Sequence, residues 1–173
     1  YTTKFTPKTV YVSYIASTPE KVWQALTDPA FTRAYFSGFS VSADPKAGGV
    51  FRLLAPDGSV HIEGTVVDWS PPRRFSCTWT VVGMPGFDGL PPCLVTYDIE
   101  QAGESVRLTM TEAHQWDVPD AILSGGRAGW PAILASLKSV LETGKPLSTQ
   151  MEGPPQSMIE AVNKAAAEKP WLK

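Results

Sequence analysis

The stretch Asp117 to Gly144, DVPDAILSGGRAGWPAILASLKSVLETG, constrains the fold of this chain more than any other. Ile122, Gly126, Trp130, Ile133, Leu137 and Leu141 recur at steps of four and three, and Leu134 and Val140 widen the stripe. That is the period of a long helix with one apolar face. Asp117, Asp120 and Pro119 mark its start, and Gly144 followed by Pro146 marks its stop. Its first half is the weaker. Gly125, Gly126 and Gly129 each cost about 1 kcal/mol relative to Ala, and Pro131 cannot donate to the carbonyl of Arg127. A kink or break is therefore expected near Trp130. The glycines either let the helix lie close on a sheet or leave room for a ligand beneath it, and the sequence leaves both readings open.

The rest of the chain has to supply the surface that covers this stripe. Residues Thr9 to Ala16, TVYVSYIA, read as a strand, with Tyr11, Ser13 and Ile15 on one face and Val10, Val12 and Tyr14 on the other; which face points inward stays open. Two short helices follow, STPEKVWQALTDP with Val22, Trp23 and Leu26 on its apolar face, and PAFTRAYFSG with Phe31, Tyr35 and Phe36. From Phe39 the pattern turns to short strands between turns such as Pro56-Asp57-Gly58, Ser70-Pro71-Pro72 and Ala102-Gly103. Phe75, Cys77, Trp79 and Val81 share a face by period two, as do Val95, Tyr97 and Ile99, and Val106, Leu108 and Met110. Strands joined by short turns form an antiparallel sheet that twists and curves. Its concave face gripping one helix gives an α+β fold with a pocket between them.

Composition excludes several partners. With 43% hydrophobic and 18% charged residues, 173 residues suffice for one globular domain with a core. The formal net charge is -2 and no basic run exists, so nucleic acid is not expected as a partner. No apolar run approaches the roughly 20 residues that span a bilayer, and YTTKFTPKT lacks the pattern of a secretory signal, so no membrane is expected and the cytoplasm is the expected location. A hairpin centred near Asp88 sets Cys77 opposite about Tyr97, too far from Cys93 for a disulfide, and both cysteines read as small buried hydrophobes. His61 and His114 are the only histidines and no Cys-x-x-Cys occurs, so neither a metal nor another cofactor is expected.

The segments ASTPEKVWQALTDP, GTVVDWSPPRRFSCTW, VTYDIE with VRLTMTE, and GWPAILASLKSVLETG together resemble the Hsp90 ATPase activator homologue family of the START-like, or Bet v 1-like, helix-grip superfamily. The resemblance covers about residues 9 to 145. It implies a START-like domain over 1–145, leaving 146–173 as an extension with a linker, KPLSTQMEGPP, and a short helix presenting Met158, Ile159, Val162 and Ala166 with Trp171 and Leu172 as anchor. It also implies a hydrophobic cavity between the long helix and the sheet. The lining expected in this chain is Phe51, Leu53, Phe75, Cys77, Trp79, Val95, Tyr97, Leu108, Met110, Glu112, Ile122, Gly126, Trp130, Ile133 and Leu134, with Phe87, His114 and Arg127 at the mouth.

Polar groups near such a cavity are His61, Glu63, Glu112, His114, Tyr97 and Arg52, and Glu112 shares the face of Leu108 and Met110. A carboxylate there could act as a base. No nucleophile motif exists, and GGRAG at 125–129 has neither the Lys-Ser/Thr nor the preceding strand of a phosphate loop. The loop GMPGFDGLPP, with Met84, Phe87 and Leu90 expected at the surface, is longer than a turn requires and reads as a flap. Three functions follow in order: noncatalytic binding of a small hydrophobic molecule, as carrier or sensor; association with an Hsp90-type chaperone; and a cyclase-like enzyme acting on an aromatic or polyketide-like compound. Exposed apolar residues in the 83–92 loop and the tail leave a homodimer open.

Overall fold

The computed structural model describes residues 4–148 and 153–173. Part of the expected linker, residues 149–152, and residues 1–3 lie outside the described residues. Strand β1 (Thr6–Ile15) is followed by helices α1 (Pro19–Thr27) and α2 (Pro29–Tyr35). Strands β2 (Ser40–Ala43), β3 (Val50–Leu54), β4 (Val60–Ser70), β5 (Arg74–Val81), β6 (Cys93–Ala102) and β7 (Ser105–His114) come next. Helices α3 (Asp120–Thr143) and α4 (Gln156–Glu168) close the chain.

Short polar caps fix the early helices. Thr18 Oγ1 accepts the Lys21 N–H at 3.3 Å, and Asp28 Oδ1 accepts the Ala30 N–H at 2.8 Å, so α1 ends on the residue that starts α2. The seven strands form one antiparallel sheet in the order β1-β7-β6-β5-β4-β3-β2. Register shifts between Leu53 and Leu54 and between Val66 and Asp68 bend it. The sheet wraps α3, with Ile15, Val66, Phe75, Val95, Val106, Leu108, Met110 and Leu137 fully buried between them. This is the expected helix-grip architecture.

Strand β1 resolves the open face. Ile15 is buried and Tyr11 packs on the core, while Val10, Val12 and Tyr14 are exposed. The face of Tyr11, Ser13 and Ile15 thus turns inward. Helix α3 begins at Asp120 with Pro119 at its cap, and no side chain caps it, contrary to the role expected for Asp117 and Asp120. It runs through Pro131 as one helix, so the expected break does not occur. Packing on the sheet outweighs the single lost bond. Gly144 at φ 80° ends it, a left-handed cap that glycine adopts without strain.

Candidate functional site

The two halves of α3 meet the sheet differently. In the C-terminal half Ile133, Leu134 and Leu137 press into the core, and Glu142 Oε2 accepts the Ala16 N–H at 2.7 Å while bonded to Lys138 Nζ at 3.0 Å. Lys138 Nζ also donates to the Tyr14 carbonyl. In the N-terminal half Gly125, Gly126 and Gly129 offer no side chain to fill the space above β6 and β7. A cavity of about 800 Å³ opens there.

Trp130 stands at its inner end. Its ring lies 5.3 Å from Trp79, 5.8 Å from Phe36 and 6.4 Å from Tyr97, so the cluster separates the solid core from the cavity. Leu53, Ile62 and Trp79 form the sheet wall, Ile122, Gly126 and Ile133 the helix wall, and Phe36 and Phe39 one side. Met84, Phe87 and Leu90 of the 83–92 loop and Met158 of α4 roof it.

The loop lies over the cavity where the flap reading put it, but its apolar residues are not at the surface as expected. Phe87 is only 6% exposed, packed in a second apolar cluster with Trp116, Val118, Ile122, Leu123, Val162 and Ala165. Helix α4 covers the loop, and Trp171 packs edge-on to Trp116 at 5.1 Å. Met84, Phe87 and Leu90 of the loop thus pack with Met158, Val162 and Trp171 of the tail, whereas Leu172, expected as part of the anchor, is exposed.

Of the expected lining, Leu53, Trp79, Glu112, Ile122, Gly126, Trp130 and Ile133 reach the cavity, as do Phe87 and His114. Phe51, Phe75, Cys77, Val95, Tyr97, Leu108, Met110 and Leu134 lie in the solid core instead. They sit on the inner face as expected, but deeper in the sheet, where α3 has side chains to meet them. Arg127 is exposed and pairs with Asp120 at 3.4 Å. Arg52 and Glu63 pair with each other at 3.2 Å, both half exposed. Phe36, Phe39, Cys93 and Met158 were missed as lining. Phe36 and Phe39, flanking the Gly38 stop, were the legible signal.

The polar groups at the cavity gather on its strand wall. Leu94 pairs with Ala113 and Val95 with Glu112, so the ladder sets Cys93 across from His114, with Glu112 diagonal to it on the same face. Cys77 pairs with Val95 rather than Tyr97, two residues from the expected register, and both cysteines are free. One donor atom from each of Cys93, Glu112 and His114 lies within 4.8 Å of the others. His114 Nε2 is 3.8 Å from Glu112 Oε2, beyond hydrogen-bond range. Glu112 Oε2 and both ring nitrogens of His114 are buried with no hydrogen-bond partner among the described residues, as are Thr9 Oγ1 and Tyr11 Oη on neighbouring β1.

Burial, then the Glu112 carboxylate and Cys77, push the Cys93 thiol well above its usual range. Burial and then Glu112 raise Tyr11. His61, its ring tilted against Phe39 with centroids 4.9 Å apart, is held below the ordinary histidine value by burial. A shallower cleft of about 370 Å³ lies by Asp68, Arg74 and Asp98. There Arg74 and Asp98 satisfy each other at 3.1 Å, so it offers a ligand little.

The family model described as Activator of Hsp90 ATPase homolog 1-like protein matches residues 16–142. The chain belongs to this family. Among solved structures, a family-like fold recurs in protein MLL2253 from Mesorhizobium loti at 27% identity and TM-score 0.61, covering 77% of this chain and 96% of that one. CalU16 from Micromonospora echinospora is similar at 19% identity and TM-score 0.62, covering 92% and 83%. The Aha1 dimer from Colwellia psychrerythraea is similar at 19% identity and TM-score 0.63, covering 79% and 96%. The latter two show the fold alone. No curated protein matches the sequence significantly. Among the described residues no helix is long and apolar enough to cross a membrane.

Proposed function

We propose that this family member binds a small, mainly apolar molecule between the glycine-rich half of α3 and strands β3 to β7. One observation carries the reading: a cavity of about 800 Å³, walled chiefly by aromatic and aliphatic side chains and roofed by the chain's own tail. That volume lies in the usual range of small-molecule sites, and few polar groups at such a wall orient rather than drive binding. Trp79 and Trp130 give it a built-in reporter. Titration of an anilinonaphthalene dye and a panel of aromatic and fatty compounds should quench tryptophan emission and raise Tm. Native mass spectrometry should show an adduct that unfolding releases. An empty protein that answers to none of the panel sinks the reading.

 A second reading, association with an Hsp90-type ATPase, is favoured by the family description; an HSP90 activator from Plasmodium falciparum, 19% identical with a TM-score of 0.57, is similar in fold alone. A pull-down with such an ATPase, scored by its turnover rate with and without this chain, tests the partner. Unchanged turnover and no co-purification dispose of it. A homodimer, the state of the similar Aha1 structure, is checked by light scattering of the full chain.

A further inference from the structure

The Cys93, Glu112 and His114 cluster is not explained by apolar binding. Burying a carboxylate oxygen and both nitrogens of an imidazole without partners is costly, and natural interiors rarely leave such groups unmatched. These three side chains come from two adjacent strands, whose ladder fixes their spacing before any ligand arrives. Their donor atoms converge to within 4.8 Å, and all three side chains border the cavity.

We infer that Cys93 Sγ, a Glu112 carboxylate oxygen and a His114 ring nitrogen form a divalent-metal site of the zinc class, with the fourth position facing the cavity. The donor chemistry selects the ion. One thiolate, one imidazole and one carboxylate suit a borderline cation, whereas calcium and magnesium take nearly all-oxygen shells. Ligands at about 2.3 Å and 2.1 Å around a tetrahedral ion stand roughly 3.6 Å apart, so closing the cluster takes a contraction of about 1 Å. Side-chain rotation on fixed strands covers that distance.

Charge balances as well. The thiol releases its proton to solvent on binding, and the thiolate and carboxylate together neutralise a divalent ion. Gly126 keeps the helix side clear, since a Cβ there would lie 3.3 Å from Glu112 Oε1. Thr9 pairs with Glu112 across β1 and β7, and its unpartnered hydroxyl is a group on the neighbouring strand that can support the carboxylate. The site stands whether or not the cavity takes an apolar ligand.

The test is titration of the chelator-treated full chain with cobalt(II) alone, followed by displacement with zinc(II). One equivalent is expected to bring a near-ultraviolet thiolate-to-cobalt charge-transfer band and the visible bands of a four-coordinate ion, both erased by zinc. Cys93→Ser should remove the charge-transfer band and Cys77→Ala should keep it. Glu112→Gln and His114→Gln should each weaken binding by about tenfold or more, with far-ultraviolet circular dichroism confirming the fold. No charge-transfer band in the wild-type chain overturns the site. So does a band that survives Cys93→Ser, or an affinity unchanged by both Glu112→Gln and His114→Gln. Because no apolar compound is present, failure here leaves the cavity reading standing, and the dye titration can fail without touching this one.

Discussion

The C-terminal half of α3 is built as core and the N-terminal half as a roof over space. Both belong to one helix and one apolar stripe. Leu137 is 0% exposed and surrounded by the inner face of the sheet, and Lys138 and Glu142 fasten that end to β1. At the other end Gly125 and Gly126 present backbone, and Met158 of α4 approaches so closely that a Cβ on Gly125 would lie 2.5 Å from its Sδ. Apolar periodicity alone therefore does not tell core from cavity. Side-chain volume along the stripe does, because the sheet beneath is continuous while the helix above it is not uniformly filled.

The sharpest way to break this contrast is to open a hole in the filled half. Leu137→Ala should lower stability by about 3 kcal/mol, read as a fall in the urea midpoint at constant slope. Apolar-dye affinity per folded molecule should stay within about twofold, since any new void lies beyond Trp130. A loss of dye binding as large as the loss of stability would mean that the halves are one unit.

Filling the open half should do the reverse. Ala132 lines the cavity and is half-buried, so Ala132→Phe should weaken dye binding by about tenfold while stability moves by less than about 1 kcal/mol. A large stability loss with unchanged dye affinity would place the ligand elsewhere.

Gly126→Ala is a finer probe. The helix gains about 1 kcal/mol of intrinsic preference, and the new methyl meets Glu112 Oε1 and Trp130 Cδ1, each at 3.3 Å, which takes part of it back. The net expectation is stabilisation of about 0.5 kcal/mol in thermal or urea melts. A loss above about 1 kcal/mol would show that the helix has no freedom to lift there.

The smallest effect concerns the polar fastening of the filled half. The Ala16 N–H, and after it Lys138, hold the Glu142 carboxyl below its usual range. The depressed folded value means that this contribution is present above the unfolded pKa of about 4.5 and is lost as pH falls through the folded one. Glu142→Gln should therefore cost less than about 1 kcal/mol at neutral pH, because the group is largely solvated, and nothing in strong acid. A difference that persists in acid would assign the effect to packing.

The order of elements, the antiparallel sheet and the long helix with its Gly144 stop were legible because each rests on local signals: period, caps and turns. The inner faces of β5, β6 and β7 were legible too, from alternation, while that of β1 was left open by Ser13. The division of that face between core and cavity was not, and Phe75, Val95, Leu108 and Met110 share their pattern with Trp79 and Glu112. Nor was the burial of Phe87 beneath α4, which depends on a contact between segments about 75 residues apart in the sequence.

The sequence by itself determined which residues of β5, β6 and β7 share a face and where the helix must lie, because periodicity follows from backbone geometry. Only the tertiary structure decided what those residues meet. It set the β5–β6 ladder two residues away from the register that the turn signals implied, and it let the tail close over the cavity. Register and docking are fixed by the sum of many packing contacts across distant segments, and no local pattern encodes that sum.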